Sequence, residues 1–220
     1  MKDNNHQVSI PVIKRLPRYH RYLEELKNLG VVRISSKELS ARMGLTASQI
    51  RQDLNCFGGF GQQGYGYNIE QLYNEIGAIL GLNNKSKAIM IGAGNLGHAI
   101  ATHIHFENRG FDLVGIFDNN PAVIGTTVGG KIVMSSDELE EFCTNEKPVI
   151  AILCIPAEYA AENADKLVAL GIKGFWNFTQ YDLVRRYENI AVENVHLGDS
   201  LMTLCYQVKE ASSASCEVEQ

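Results

Sequence analysis

Residues 88–97 decide the fold, because a short apolar run leads directly into three spaced glycines: Ala88-Ile89-Met90-Ile91-Gly92-Ala93-Gly94-Asn95-Leu96-Gly97. The apolar run predicts a buried strand, and Ala99-Ile100-Ala101 predicts the start of a helix. In this context the first glycine permits a tight turn, the second admits a pyrophosphate, and the third packs helix on strand. The pattern therefore predicts a dinucleotide at a helix N-terminus, held by Gly92, Ala93, Gly94, Asn95, Leu96 and Gly97.

A second apolar run ends where a dinucleotide fold needs an acidic residue. Leu113 to Phe117 predicts a buried strand, and Asp118 follows it directly. This is close to the distance of about 20 residues past the glycines at which a carboxylate binds the adenine ribose. Because that carboxylate repels a 2'-phosphate, Asp118 favours NAD(H) over NADP(H), and the adjacent Asn119 belongs to the predicted site.

The alternation of strands and helices continues beyond Asp118. Val149 to Cys154 predicts a strand, a helix follows through Leu167, and another strand begins at Lys173. Open α/β sheets bind ligands outside the carboxyl ends of their strands. We therefore predict an α/β fold with a Rossmann domain over residues 85–210, whose doubly wound sheet is mostly parallel. The loops expected to face the nicotinamide contain Pro156, Asn177, Phe178 and Thr179.

The N-terminal part has helical periodicity. Apolar residues recur every three or four positions from Val12 to Leu29, which predicts a helix whose regular part starts near Pro17. Two segments with capping-box spacing follow, Ser35-Ser36-Lys37-Glu38 and Thr46-Ala47-Ser48-Gln49, with Gly44 between them. Two short helices joined by a glycine turn predict a helix-turn-helix over about residues 19–58.

The second short helix carries side chains suited to reading DNA, namely Ser48, Gln49, Arg51 and Gln52 near its N-terminus. Aromatic residues and glycines then alternate from Phe57 to Tyr67, which predicts a wing hairpin. Up to Asn84 the chain has 10 Lys and Arg against 7 Asp and Glu, and beyond it 10 against 18. This excess of basic residues in the N-terminal part suggests that it binds a polyanion. The alternatives are a solvated basic helix and a small helical domain with a glycine-rich linker.

The boundaries of the domains follow from breaks in the apolar pattern. A helix capped by Asn68 ends at Gly81, so we predict a winged-helix DNA-binding domain over residues 1–84. The last helix, roughly Leu197 to Val208, is more apolar than a terminal helix needs, which predicts a homodimer.

We expect a disordered tail over residues 211–220. Met1 to Gln7 lacks an apolar export segment and no run reaches the length of about 20 apolar residues for a membrane span, so we expect a cytoplasmic protein without membrane contact.

Several residues could be mistaken for catalytic or metal-binding groups. His98 and His196 are the candidates for proton transfer, Cys154 for a nucleophile, and His103-Ile104-His105 for a metal site, yet none has a suitable partner set. We therefore predict no catalytic and no metal site.

Two alternative functions remain. One is an NAD-dependent oxidoreductase with a helical cap, and the other is an architectural DNA-binding protein whose Rossmann domain only dimerises. The intact glycines and Asp118 disfavour the second alternative. The five cysteines lack paired spacing and indicate reduced thiols.

An ordered set of motifs resembles the Rex family of redox-sensing transcriptional repressors: Ile10-Pro11, Arg15-Leu16-Pro17-x-Tyr19, Gln49-x-Arg51-x-Asp53-Leu54, the Phe57 to Tyr67 wing, Gly92 to Gly97 and Asn177-Phe178-Thr179. The resemblance implies a homodimer that exchanges C-terminal helices and binds double-stranded operator DNA. It implies that NADH releases the DNA, while NAD+ competes without releasing it. The DNA contacts that it implies are Arg15, Arg18, the Ser48 to Gln52 face, and the wing with Gln63 and Tyr65.

The chain departs from the family pattern in the wing and at two histidines. Gln62 and Gln63 stand where the family often has basic wing residues, so we expect weaker attraction to phosphates. His103 and His196 stand where many members have Tyr and Asp. Because histidine titrates near neutrality, this pair predicts that release depends on pH between about 6 and 8.

Overall fold

The computed structural model describes residues 8–58, 61–62 and 65–217. The chain forms two compact units, Met1–Asn84 and Lys85–Gln220.

The first unit is a helix-turn-helix followed by a small hairpin and a further helix. Its elements are α1 (Ile10–Asn28), β1 (Arg33–Ile34), α2 (Ser36–Met43), α3 (Ala47–Asn55), β2 (Gly61–Gln62), β3 (Gly66–Asn68) and α4 (Ile69–Ile79). The three strands form an antiparallel sheet in the order β1-β3-β2. The β2-β3 hairpin after α3 is the predicted wing.

The apolar stripe of α1 is buried against the other helices of this unit. Leu16, Tyr19 and Leu23 are fully buried and pack with residues of α2, α3 and α4. The helix begins at Ile10, with Pro11 in its first turn and Pro17 in its interior, so the prediction that the regular helix starts near Pro17 was wrong. Pro17 removes one helical hydrogen bond, and burial of the stripe on both sides of it offsets the loss.

The two predicted caps differ in outcome. The Ser35 capping box is confirmed, since the Ser35 hydroxyl accepts from the Glu38 N–H and the Glu38 carboxylate accepts from the Ser35 N–H. The Thr46 hydroxyl accepts from the Gln49 N–H at 3.1 Å. The Gln49 side chain does not complete a second box, because its amide donates to Asp53 instead.

The second unit is a seven-stranded sheet flanked by helices. Its elements are β4 (Ser86–Ile91), α5 (Asn95–His103), β5 (Phe111–Asp118), β6 (Thr127–Val128), β7 (Lys131–Ser135), α6 (Leu139–Glu146), β8 (Ile150–Leu153), α7 (Ala157–Ala169), β9 (Gly174–Asn177), β10 (Ala191–Asn194) and α8 (Leu197–Glu217). The strand order is β10-β9-β8-β4-β5-β7-β6, and every pairing is parallel except β6 with β7. This is the doubly wound Rossmann order, as predicted.

Alternate side chains of β4 enter two cores. Ile89 and Ile91 pack with buried residues of α6 and α7, whereas Met90 packs with Ile100 of α5 on the opposite face. The chain leaves β4 toward β5 on one side and later returns to β8 on the other. The carboxyl ends of β4 and β8 therefore flank the switch point at which such sheets bind nucleotides.

Two helix ends differ from the sequence prediction. Helix α8 continues to Glu217, so the expected disorder from residue 211 is wrong for residues 211–217. Extending a formed helix costs little, and Ala211 is a good helix former. Helix α5 ends at His103 and Ile104 is extended, so His105 lies beyond the helix that was expected to include it. Among the described residues, none of the helices combines the length and apolar character needed to cross a bilayer.

Candidate dinucleotide and DNA sites

The turn between β4 and α5 can be formed only with glycine at two of its positions. Gly92 has a φ of 97°, and a Cβ added there would lie 2.5 Å from the Cys154 carbonyl oxygen. A Cβ at Gly97 would lie 2.0 Å from the Gly92 carbonyl oxygen. The first glycine therefore lets β4 turn beside the end of β8, and the third lets α5 pack onto that turn.

Gly94 differs from its neighbours, because a Cβ there would meet nothing within 4 Å. It is the N-cap of α5, and no side chain caps that helix end. Backbone N–H groups at an uncapped helix N-terminus form an anion site when a phosphate can approach closely. The open space at Gly94 provides that approach, so the turn fits a pyrophosphate.

Asp118 lies at the carboxyl end of β5, beside the glycine turn. Its carboxylate accepts the Ala93 N–H at 2.7 Å and the Asn120 N–H at 2.8 Å. These bonds hold the partly exposed carboxylate next to the turn, and Asn119 beside it is exposed. The arrangement suits an acceptor for ribose hydroxyls.

The predicted residues at the end of β9 take part in hydrogen bonds within the protein. Asn177 is buried, and its side chain donates to the Tyr181 carbonyl and the Asn194 side chain, both at 2.8 Å. It accepts from the backbone and the hydroxyl of Thr179. Phe178 is half-buried with its ring edge against Trp176, and Pro156 is exposed at the start of α7. The contact of these residues with a cofactor stays a prediction.

The structure does not bring the candidate catalytic residues together as an acid and a base at the glycine turn. Burial raises the pKa of the Cys154 thiol to about 12, which leaves it a poor nucleophile. His98 lines a cavity of about 680 Å³ whose lining contains no residue of the glycine turn. Nδ1 of His196 lies 3.5 Å from an Asp199 carboxylate oxygen, and His103 is exposed at the end of α5. Among the described residues, no group of three His, Cys, Asp or Glu could hold a metal.

The predicted recognition face on α3 is accessible at its start. Ser48, Arg51 and Gln52 are exposed, whereas Gln49 is half-buried. Arg51 also donates to the Ser36 hydroxyl at 3.0 Å, which ties α3 to the start of α2. The exposed positions present hydroxyl, guanidinium and amide groups on a single helical turn, the kind of surface that meets a major groove.

A buried carboxylate in α3 controls two of the residues that we predicted to contact DNA. Asp53 is 0% exposed and accepts from Nε and Nη2 of Arg15 at 2.6 and 2.7 Å. The Tyr19 hydroxyl and Nε2 of Gln49 each donate to it at 2.8 Å. Burial opposes ionisation of Asp53, but these hydrogen bonds outweigh it, so its pKa is lowered. Arg15 and Gln49 are therefore held by the protein core.

The remaining predicted DNA contacts lie at the edges of this unit. Arg18 is exposed and donates to the Met43 carbonyl at the end of α2. Tyr65 beside β3 is 70% exposed, and Arg33 donates to its carbonyl. Gln63 lies outside the described residues. The structure thus brings Arg15 and Gln49 to one carboxylate and leaves Arg18 and Tyr65 outside that cluster.

Asp53 was named in the sequence only as part of a family motif, and its buried hydrogen-bond network was not predicted. It follows Ile50 by three positions and precedes Leu54, so the helical period puts it on the inner face of α3. A carboxylate at a core position needs a charged partner. Arg15 and Tyr19, spaced one turn apart in α1, could have been recognised as that partner set.

A winged helix-turn-helix unit followed by a doubly wound dinucleotide fold places this chain in the class of DNA-binding regulators that carry a Rossmann domain. The family model described as "Putative DNA-binding protein N-terminus" matches residues 7–55, and the model described as "CoA binding domain" matches residues 83–181. The redox-sensing transcriptional repressor Rex of Caldanaerobacter subterraneus subsp. tengcongensis is 57% identical over 203 residues, 92% of this chain and 90% of that protein. The chain belongs to the Rex family of redox-sensing transcriptional repressors.

Two crystal structures of RSP, a Rex-family repressor, resemble this fold closely. The complex of RSP with β-NAD+ and operator DNA has a TM-score of 0.86 and 54% identity, and covers 94% of this chain and 95% of that chain. The complex of RSP with β-NADH has a TM-score of 0.87 and 51% identity, and covers 96% of this chain and 99% of that chain. The curated relative and both structures are repressors, so the oxidoreductase alternative is not supported.

Proposed function

We propose that this chain is a transcriptional repressor that senses the NADH to NAD+ ratio and leaves its operator when NADH binds. The observation that carries the proposal is the occurrence in one chain of two open surfaces: the exposed start of α3, and the uncapped N-terminus of α5 at Gly94. Membership of the Rex family supports it, as do the complexes of RSP with β-NAD+ and operator DNA and with β-NADH.

Residues 85–210 form the cofactor domain in this proposal. The turn from Gly92 to Gly97 holds the pyrophosphate, and Asp118 with Asn119 binds the adenine ribose, which selects NAD(H) over NADP(H). The predicted contacts at the nicotinamide end are Pro156, Asn177, Phe178 and Thr179. A bound dinucleotide supplies the redox signal, because its oxidised nicotinamide carries a positive charge that the reduced ring lacks.

Residues 1–84 form the DNA-binding domain. Ser48, Arg51 and Gln52 are exposed at the start of α3 and are proposed to enter the major groove. Gln49, beside them in the same helix, is half-buried in the protein. Arg18 in α1 and Tyr65 beside β3 are exposed. Together with Gln63, they are proposed to contact the backbone of the duplex.

The active form is proposed to be a cytoplasmic homodimer joined through α8. Six large apolar side chains of this helix are each more than half exposed in the single chain: Leu197, Leu201, Met202, Leu204, Tyr206 and Val208. A second subunit would cover them, since monomers rarely expose a contiguous apolar surface of this kind. Two subunits would present two recognition helices to successive major grooves.

Release follows from unequal affinities. A ligand shifts a conformational equilibrium only by its differential affinity for the two states. NADH must therefore bind the DNA-free form of the dimer more tightly than the DNA-bound form, whereas NAD+ must bind both about equally.

Selection of DNA from a random duplex library tests the proposal and identifies the operator at the same time. The full-length chain should enrich a palindrome whose half-sites lie one helical turn, or a multiple of it, apart. A parallel selection with NADH should enrich this palindrome less strongly, and one with NAD+ should enrich it as strongly as without nucleotide. Equal enrichment of the same palindrome with and without NADH would contradict the proposal, as would the absence of any enriched sequence.

A further inference from the structure

The carboxylate of Asp53 has no hydrogen-bonding capacity to spare for DNA. It is fully buried and accepts four hydrogen bonds, from Nε and Nη2 of Arg15, the Tyr19 hydroxyl and Nε2 of Gln49. Each oxygen receives two of them. An ionised carboxylate only accepts hydrogen bonds, so every group that faces Asp53 must present a donor.

This requirement fixes the side-chain amide of Gln49. The amide has a donor end and an acceptor end, and a flipped amide would place Oε1 against Oδ1 of Asp53, where two acceptors repel. Nε2 therefore lies toward Asp53, at 2.8 Å, and Oε1 lies on the other side of the amide. Asp53 accepts one N–H of Nε2, which leaves Oε1 and the second N–H for another partner.

A glutamine amide with Oε1 and one adjacent N–H available matches adenine in the major groove. The N–H can donate to N7 of the base, and Oε1 can accept from its N6 amine. Gln49 lies in the first turn of α3, the end of a recognition helix that meets base edges. Arg15, by contrast, donates from Nε and Nη2 to Asp53, so that side of its guanidinium is not available to a guanine.

We propose that Asp53 is a positioning residue for sequence readout, because it holds the Gln49 amide in the orientation that selects adenine in each operator half-site. The inference rests on the proposed DNA-binding function, but it concerns which base is preferred and not whether NADH causes release. Asp53 itself does not touch the DNA. Its effect is exerted through Gln49, and the rest of the network anchors α1 to α3.

The experiment measures binding of the full-length protein to a panel of operators in which each base pair is replaced by the other three. Gln49→Ala identifies the base pair read by Gln49 as the one whose preference it abolishes. The wild type should prefer adenine there by about tenfold or more, the range of a good bidentate contact. Asp53→Asn should lose that preference, since an asparagine can donate to Oε1 and let the amide turn over.

Tyr19→Phe is the matched control, because it removes one hydrogen bond from Asp53 and leaves the bond to Gln49. It should keep the adenine preference even where it lowers the melting temperature. Gln49→Ala should abolish the base preference at one base pair. If Asp53→Asn keeps the wild-type preference at that base pair, Asp53 has only a structural role and the inference is wrong. The inference is equally wrong if Gln49→Ala abolishes the base preference at no position of the operator. In both cases NADH-dependent release by the wild type still tests the proposed function separately.

Base analogues test the same orientation in the wild type if Asp53→Asn fails to fold. Replacement of the adenine by 7-deazaadenine removes the N7 acceptor, and replacement by purine removes the N6 donor. Each should weaken binding by about tenfold, because each deletes one half of the bidentate contact. Unchanged binding of either analogue would overturn the inference.

Discussion

Arg15 of α1 donates to both carboxylate oxygens of Asp53 of α3, at 2.6 and 2.7 Å. The carboxylate is buried, whereas 27% of the Arg15 side chain is exposed. The pair therefore links α1 to α3, with the carboxylate inside the core and the guanidinium partly exposed at its edge. Its contribution to stability depends on the ionisation of Asp53.

This pair predicts that the stability of the protein falls in acid. Hydrogen bonds from Arg15, Gln49 and Tyr19 outweigh the opposing effect of burial and lower the pKa of folded Asp53. The ionised carboxylate thus stabilises the fold fully above its unfolded pKa of about 3.9, and this stabilisation is lost as the pH falls through the folded pKa. Between about pH 5 and about pH 2, the free energy of unfolding should fall more steeply in the wild type than in Asp53→Asn.

Urea denaturation followed by circular dichroism measures both curves, and their difference removes the contribution of the other carboxylates. Parallel curves over this range would show that Asp53 titrates alike in the folded and unfolded states.

A pair of glycine variants separates cofactor binding from folding. Gly94→Ala adds a methyl group to open space at a φ of −65°, so it should change stability by no more than about 0.5 kcal/mol. The same methyl group occupies the space of the pyrophosphate, so NADH affinity should fall by about tenfold or more. Gly97→Ala should destabilise the fold by about 1 to 3 kcal/mol, because its Cβ would overlap the Gly92 carbonyl.

Calorimetric titration with NADH and thermal unfolding of both variants test this pair. Undiminished NADH binding by Gly94→Ala would exclude the proposed position of the pyrophosphate.

Asp118 should determine the preference for the unphosphorylated cofactor. In Asp118→Ser the repulsion of a 2'-phosphate is absent, so the ratio of NADPH to NADH dissociation constants should fall by about tenfold. The variant also loses the acceptor for the Ala93 N–H, so both affinities should decline somewhat. Competition of each nucleotide against a fluorescent NADH analogue gives the two constants. A ratio equal to that of the wild type would remove Asp118 from the ribose site.

The apolar face of α8 should hold the dimer together. Leu201 is 63% exposed in the single chain, and Leu201→Glu would place a charge within the proposed interface. We expect sedimentation equilibrium to show monomers for this variant and dimers for the wild type. Gln207→Glu on the same helix changes the charge at an exposed polar residue and should remain dimeric. Dimers of Leu201→Glu at micromolar concentration would place the interface elsewhere.

The fold followed from the sequence because its strongest patterns are local. The apolar run before Gly92, the spaced glycines and the carboxylate at Asp118 all lie within one βαβ unit, where chain connectivity leaves few arrangements. The Ser35 capping box was predictable for the same reason, since both partners lie within one turn.

Longer-range contacts account for what the sequence did not reveal. Arg15 and Gln49 remain predicted DNA contacts, but both also donate to a buried carboxylate that was not recognised in the sequence. The partner that holds them, Asp53, is 38 residues from Arg15. Similarly, the sequence did not reveal that the amide of Asn177, a predicted cofactor contact at the end of β9, also bonds Asn194, which lies 17 residues further on. The helical period could have suggested the first pairing, whereas the second has no periodic pattern and required the folded structure.

Reduced dinucleotide and operator DNA should each weaken the binding of the other to this protein. Fluorescence anisotropy of labelled operator, titrated with the full-length protein at fixed salt, measures DNA affinity without nucleotide, with NADH and with NAD+. We predict that saturating NADH weakens DNA binding by about 5- to 150-fold, that NAD+ changes it little, and that operator DNA weakens NADH binding by the same factor as NADH weakens DNA binding. Equal DNA affinity with NADH and without it, at concentrations where calorimetry shows that NADH is bound, would contradict the account.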